Sequence, residues 1–297
     1  ERFTPGNPNN GTNVPIDPGA DGVAGTGDEV TLKNGLPVPE GWIVTPHDGV
    51  GITKDDVITI VRNGLEQANV TRAAIRVPVS RRVRMVYAVT DGTGEILGLY
   101  RTPDSTVFSV DVAVAKARNV AYYADAAKLQ PSDQIPGIPA GTAFTNRTFR
   151  YASLPRFPQS IDNRPPGPFS ILNDGGSSLI NGSNIGAPLP ASNFVSVQGY
   201  DAFHPGTNFQ ETTNPLNQNG IVFFPGSMPL YKDVDGDGQK ELVGGFGVSG
   251  DGVDQDDVVT FAGSKNYRPP DSVLRADQTQ PRGVRLPFVK SNRNPRI

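Results

Sequence analysis

Three aspartates at alternate positions, Asp233, Asp235 and Asp237, stand in the run "KDVDGDGQKE" from Lys232 to Glu241. Carboxylate oxygens at that spacing are hard donors suited to calcium, at positions 1, 3 and 5 of a calcium loop. Gly238 falls at position 6, where the chain must bend sharply. Gln239 would add a backbone carbonyl, and Glu241 falls at position 9. Position 12 is Gly244 where a complete EF-hand has glutamate, so the loop departs from that motif. Three carboxylates converging on one loop repel each other strongly. The reading is therefore a structural calcium ion that cancels the repulsion and fixes strand register, with a bare acidic turn as the competitor. Earlier in the chain, Asp17, Asp21, Asp28 and Glu29 punctuate the turn-rich stretch Pro15–Val30. That stretch reads as a solvated loop, with a second calcium loop as the alternative.

Other catalytic chemistry is sparse. The two histidines, His47 in "TPHDG" and His204 in "FHPG", both sit among turn residues. No serine–histidine–aspartate set can be assembled, and no paired-histidine metal motif is present. An enzyme would need a titratable cluster that the sequence does not display. No catalytic residue is assigned, and a binding or structural role ranks above catalysis.

The bulk composition agrees. The 297 residues contain 34 Gly and 28 Pro with 36% hydrophobic residues, which implies many turns around a modest core. A net charge of −3 argues against a nucleic-acid partner, since a phosphate-binding surface needs a large basic excess. The absence of cysteine excludes disulfides, thiolate metal sites and c-type haem attachment. No stretch reaches the roughly 18 apolar residues that span a bilayer. Asp-rich turns and Asn- and Pro-rich loops point to a secreted, extracellular or periplasmic product, where calcium is plentiful. The start, "ERFTPGNPNN", reads as a mature or trimmed terminus.

Regular elements must carry these residues. Thr53 is placed to cap a helix, with Asp56 as its capping-box partner and Val57, Ile60, Val61, Leu65 and Ala68 on one face. Val83–Thr90 and Glu95–Arg101 flank the turn Asp91-Gly92-Thr93-Gly94 and predict a hairpin. "STVFSVDVAVAKARNVAYYADAAKL" predicts a long alanine-rich helix able to lie close against a sheet. "GIVFFPGSMPLY" and "ELVGGFGVSG" predict two more strands, followed by a helix starting near Val253. Asp254, Asp256 and Asp257 fall in the first turn of that helix, where the macrodipole favours negative charge. The glycines of "LVGGFGV" permit close backbone approach, either of a helix or of a flat ligand. The expected organisation is an extended arm over residues 1–51, a core domain over 52–262 and a basic arm over 263–297. A Pro/Gly-rich insertion at about 131–220 packs piecewise on the core domain through its aromatics, or wraps a neighbour.

Three segments carry a family resemblance: "MVYAVTDGTGEILGLYR" (85–101), "SVDVAVAKARNVAYYA" (109–124) and "ELVGGFGVSGDGVDQDDVV" (241–259). In their order and landmarks the chain resembles the GlcG/HbpS-like haem-binding domain family. "GTAFTNRTFRYASLPRFP" (141–158) resembles the Ala-Phe-Thr-x-Arg-Thr segment of members with a longer middle region. The resemblance implies an α+β domain, with an antiparallel sheet of four or five strands flanked by helices, and frequent oligomerisation. It also implies a haem-related or other small ligand. Lys116, Arg118 and Arg147 are the candidates to hold an anionic group such as a propionate, with Tyr123 and Phe144 as pocket walls. Surface, ion-pair or core roles are the alternatives for all five. Either histidine could ligate haem iron. Two functional readings stand close together. One is a secreted, calcium-stabilised binder of haem or a related tetrapyrrole. The other is a structural module whose arms contact further copies or another extracellular protein.

Overall fold

The computed structural model describes residues 40–129, 134–135, 137–154 and 221–290. His204, the Asp17–Glu29 stretch and the aromatics between 157 and 209 lie outside the described residues.

Five strands form one antiparallel sheet: β1 (Gly41–Val44), β2 (Met85–Asp91), β3 (Ile96–Arg101), β4 (Ser227–Lys232) and β5 (Glu241–Gly250), in the order β1-β3-β2-β5-β4. The fold is α+β, as expected. The β2–β3 turn is organised by the buried carboxylate of Asp91, which accepts the Thr93 and Glu95 backbone N–H groups at 2.8 and 3.1 Å. Gly94 in that turn has φ +86°, a left-handed conformation that glycine adopts without strain. The central pairing joins β2 to β5, with Met85 opposite Gly250 and Asp91 opposite Gly244. Two segments about 150 positions apart thus close into one sheet.

Helices cover both faces. On one, α1 (Lys54–Ala68) and α4 (Val253–Gly263) pack over Tyr87, Val89, Phe246 and Val248. The predicted capping box starts α1: Thr53 accepts the Asp56 N–H, and the Asp56 carboxylate accepts the Thr53 N–H at 2.8 Å. Its predicted apolar stripe is buried at Val57, Ile60, Val61 and Ala68. On the other face α2 (Ser109–Ala124) packs Val110, Ala113, Val114 and Ala117 against Val86 and Ala88.

The glycine-rich strand explains how close α2 comes. A Cβ on Gly245 would lie 1.9 Å from the Ala117 carbonyl oxygen, and one on Gly247 would lie 2.0 Å from that of Ala113. Backbone meets backbone, so these glycines admit a helix; no ligand can share that space.

A third apolar cluster lies beyond the C-terminal half of α2. Tyr122 and Tyr123 meet Phe144 and Phe149 there, with Leu286 and Phe288 from the far end of the chain. Phe149 belongs to α3 (Asn146–Ala152), capped by a second box between Thr145 and Thr148. The described parts of both predicted arms are integral to the fold. Residues 41–44 supply an edge strand, and residues 268–290 form a strap along α3 and α4. That strap pairs with Ala143 through Ala143 N–H to Leu274 O at 2.8 Å and Ala276 N–H to Ala143 O at 3.0 Å. Among the described residues no helix is long and apolar enough to cross a membrane.

Candidate functional site

The segment "AFTNRT" places chemistry at the start of α3. Asn146 is buried, receives no solvent, and ties α3 to its neighbours: its N–H donates to Ser227 Oγ at 2.8 Å and its amide to Asn119 Oδ1 at 3.1 Å. The side chain of Thr148 donates to the Pro287 carbonyl at 2.7 Å, and that of Thr145 donates to the Phe288 carbonyl. These bonds clamp the strap onto α3. Arg147, next in line, reaches across to α4 and pairs with Asp257 and, at 2.8 Å, with Asp254. Burial opposes the Arg147 charge, but the two aspartates outweigh it and hold the guanidinium above its ordinary range.

The first turn of α4 therefore does more than answer a helix dipole. Asp254 also pairs with Lys290. Asp257 is fully buried and accepts the Lys290 backbone N–H at 3.0 Å besides its bond from Arg147. Asp256 pairs with Lys116 at 3.0 Å, where both side chains are shut off from solvent. Burial pushes the Asp256 carboxyl up to about 7, against the opposing pull of the Lys116 ammonium. Gly252, at the N-cap, offers no side-chain cap. The sequence reading of this turn as a dipole feature is extended here: each acid has a named cation brought from elsewhere in the chain.

Between α3, α4 and the strap opens a groove of about 1000 Å³. Five arginines line it, Arg147, Arg150, Arg268, Arg275 and Arg285, against two aspartates, Asp254 and Asp277. Apolar walls come from Leu154, Val253, Leu286 and Val289, and rings from Tyr151, Phe261 and Phe288. Asp277 engages Arg275 at 3.1 Å and Arg285 at 3.3 Å, and the Arg268 guanidinium lies 3.3 Å over the Phe261 ring. The groove thus keeps a positive excess along an apolar, ring-bearing floor. That combination suits a flat apolar body carrying carboxylates.

The sequence-nominated ligand residues separate in space. Lys116 is turned inward, donating to the Val248 carbonyl at 2.7 Å and to Asp256. Arg118 is buried and donates to the Gly94 carbonyl at 2.9 Å, pinning the β2–β3 turn; burial pulls its guanidinium below the ordinary range. Tyr123 and Phe144 face each other edge-on, ring centroids 5.7 Å apart, inside the third apolar cluster. Arg147 alone of the five lines the groove. His47 Nδ1 lies 2.9 Å from the Thr45 carbonyl and Nε2 lies 3.5 Å from Glu95, away from the groove. The sequence reading missed Arg150, Arg268, Arg275 and Arg285. For the last three the signal is the basic composition of the C-terminal stretch, which in sequence reads as an arm; Arg150 carries no such signal.

In the β4–β5 connection, carboxylate oxygens of Asp233, Asp235 and Asp237 all come within 4.8 Å of one another. Asp233 accepts the N–H groups of Gly236 at 2.7 Å and Gly238 at 3.0 Å, and both glycines have positive φ. The donor set is all oxygen, the chemistry a calcium ion prefers.

Residues 191–265 match the family model described as haem degrading protein HbpS-like. The resemblance read from the sequence holds, and its most distinctive motif, 241–259, lies inside the match. No curated protein matches the chain. Solved structures similar to it include two described by name. One is the Klebsiella pneumoniae protein ORFY of family DUF336, 16% identical over 72% of this chain and 88% of that chain, with a TM-score of 0.36. The other is a PduOC:haem complex, 19% identical over 71% of this chain and 91% of that chain, with a TM-score of 0.35. Beside the HbpS-like match these are similarities only, and no residue role is carried over from either.

Proposed function

We propose that the chain binds haem or a related carboxylate-bearing tetrapyrrole in the groove between α3, α4 and the strap. The observation that carries this reading is the groove itself: five arginines over a floor of aliphatic and aromatic side chains. The HbpS-like match across 191–265 supports the ligand class. In this reading Arg150 at the rim receives a carboxylate, beside Arg147, which Asp254 and Asp257 hold rigid. Tyr151, Phe261 and Phe288 contact the flat face. Lys116, Arg118, Tyr123 and Phe144 then act behind the site, fixing the helices that carry it.

The proposal is tested by titrating the purified chain with haemin and following the Soret band. A saturable shift at one haemin per chain is expected. Arg150 is exposed and has no carboxylate partner among the described residues, so unchanged thermal melting is expected of Arg150→Glu and checks that the variant is folded. It should weaken binding roughly tenfold, the scale of one charge-assisted hydrogen bond. No shift, or identical titrations for both proteins, overturns the reading.

The β4–β5 loop carries a second part of the proposal, a calcium ion held by Asp233, Asp235 and Asp237. The convergence of their oxygens within 4.8 Å supports it. Its role would be to fix the loop and the register of the strands on either side. A calcium-rich, extracellular setting belongs to the same proposal.

A further inference from the structure

Just before β2 the chain makes a small projecting hairpin. Arg72 and Arg82 bridge its base, and the Ala73 N–H donates to the Arg81 carbonyl at 2.9 Å. At its tip Ile75, Val77 and Val79 are 70%, 86% and 64% exposed. Three large aliphatics on one short tip is a concentration that a solvated loop has no reason to keep. Beside them a hollow of about 360 Å³ is lined by Val77 of the tip and by Arg76, Arg81, Arg82 and Arg84, with Asp104 as its one carboxylate. Arg76 is committed to Asp104 and Asp251. Arg81 and Arg82 have no carboxylate partner among the described residues; Arg82 donates to the Val70 carbonyl at 3.3 Å.

We propose that this hairpin docks the protein on an anionic phospholipid surface, the aliphatic tip entering the interface and the arginines engaging lipid phosphates. Two observations favour that occupant over a protein. The exposed aliphatics span only residues 75–79, whereas a specific protein contact needs about 800 Å² from each partner. A fluid interface moulds itself to such a tip. The hairpin also stands at the opposite end of β5 from the acidic Asp233–Asp237 loop, and the acids nearest to it, Asp104 and Asp251, are paired with Arg76. The hairpin adjoins Met85, opposite Gly250, while the acidic Asp233–Asp237 loop adjoins Glu241 at the other end of β5. Ten strand residues, about 30 Å, separate the two ends. A chain of net charge −3 can therefore present a positive end to an anionic layer and keep its most acidic loop away from it. The docking is peripheral and rests on none of the groove chemistry.

The test is sedimentation of the full chain with vesicles of phosphatidylcholine alone or with about 30% phosphatidylglycerol, at low and high salt. Binding should require phosphatidylglycerol and weaken as salt rises. R81Q/R82Q should lose about 25-fold in vesicle affinity, at about fivefold per arginine. V77D should lose about tenfold or more through its apolar contact. All three positions are exposed, so unchanged thermal melting will show that the variants are folded. Absence of phosphatidylglycerol-dependent binding overturns the proposal. So does full binding by both variants, which would assign it to the basic C-terminal residues. Salt-sensitive self-association without vesicles, abolished by the same variants, would instead make a second copy the occupant and overturn it too.

Discussion

Replacing Lys116 with methionine keeps an unbranched stem and removes an ammonium that has no exposure to water. The variant takes from Asp256 its partner at 3.0 Å and from the Val248 carbonyl its donor at 2.7 Å. Breaking one half of a buried ion pair costs about 3–5 kcal/mol while the other half stays charged. Asp256 has a way to shed that cost. Burial already pushes its carboxyl up to about 7 with Lys116 opposing the rise, and without Lys116 it climbs further. An acid raised in the folded state favours folding below its unfolded value, near 4, and loses that contribution as pH rises through the folded value. K116M should therefore show its full deficit at about pH 8–9. On acidification the gap to wild type should close by up to about 1.4 kcal/mol per pH unit. Roughly 1 kcal/mol should remain for the Val248 carbonyl left without a donor. Urea-unfolding midpoints for both proteins from pH 5 to 9 measure this directly. A deficit that does not change with pH refutes the reasoning, as does a K116M/D256N variant no more stable at pH 8 than K116M alone.

Gly247→Ala should destabilise by about 3 kcal/mol, because its new Cβ meets the Ala113 carbonyl at 2.0 Å and α2 must withdraw; thermal melting should fall by about 6–12 °C. For Asp56, burial opposes ionisation, but hydrogen bonds from Lys232, Tyr267 and Thr53 outweigh it and hold the carboxyl at about 2. That group stabilises the fold above about pH 4 and loses its effect as pH falls toward 2. Asp56→Asn should cost about 1–2 kcal/mol at pH 7 after allowance for solvent screening, and nothing near pH 2, by chemical denaturation. If the β4–β5 loop holds calcium, adding the ion to chelated protein should raise the melting temperature and Asp235→Asn should abolish the rise; an EGTA-insensitive melt would count against it.

Local signals carried the elements. The Thr53–Asp56 box, the apolar stripe behind it and the Asp91–Gly94 turn depend on neighbours within a few positions, and each was readable. The β2–β5 pairing was not readable, since nothing in residues 85–91 names a partner near 250; the resemblance implies only that an antiparallel sheet is present. What escaped the sequence was long-range chemistry. Lys116 and Asp256 are 140 positions apart, Arg147 and Asp257 are 110 apart, and a charged residue in a sequence does not announce its counter-ion. The same limit hid the groove. Its arginines come from α3 and from the strap, and composition alone shows only that the C-terminal stretch is basic. A polar, proline-broken stretch looks like a tail until Leu286 and Phe288 are seen sealing a cluster with Phe149.

The threonine clasp on that stretch sets the minimum size of a working molecule. Thr145 and Thr148 fasten the backbone at Pro287 and Phe288. A shortened chain stopping at residue 263, the end of the last long helix, would keep the sheet and all four described helices. It would also lose one whole side of the arginine cleft, leaving Tyr123, Phe144 and Phe149 wet. Trimming by secondary structure would thus yield an adhesive core without a cleft, whereas trimming after residue 290 keeps both.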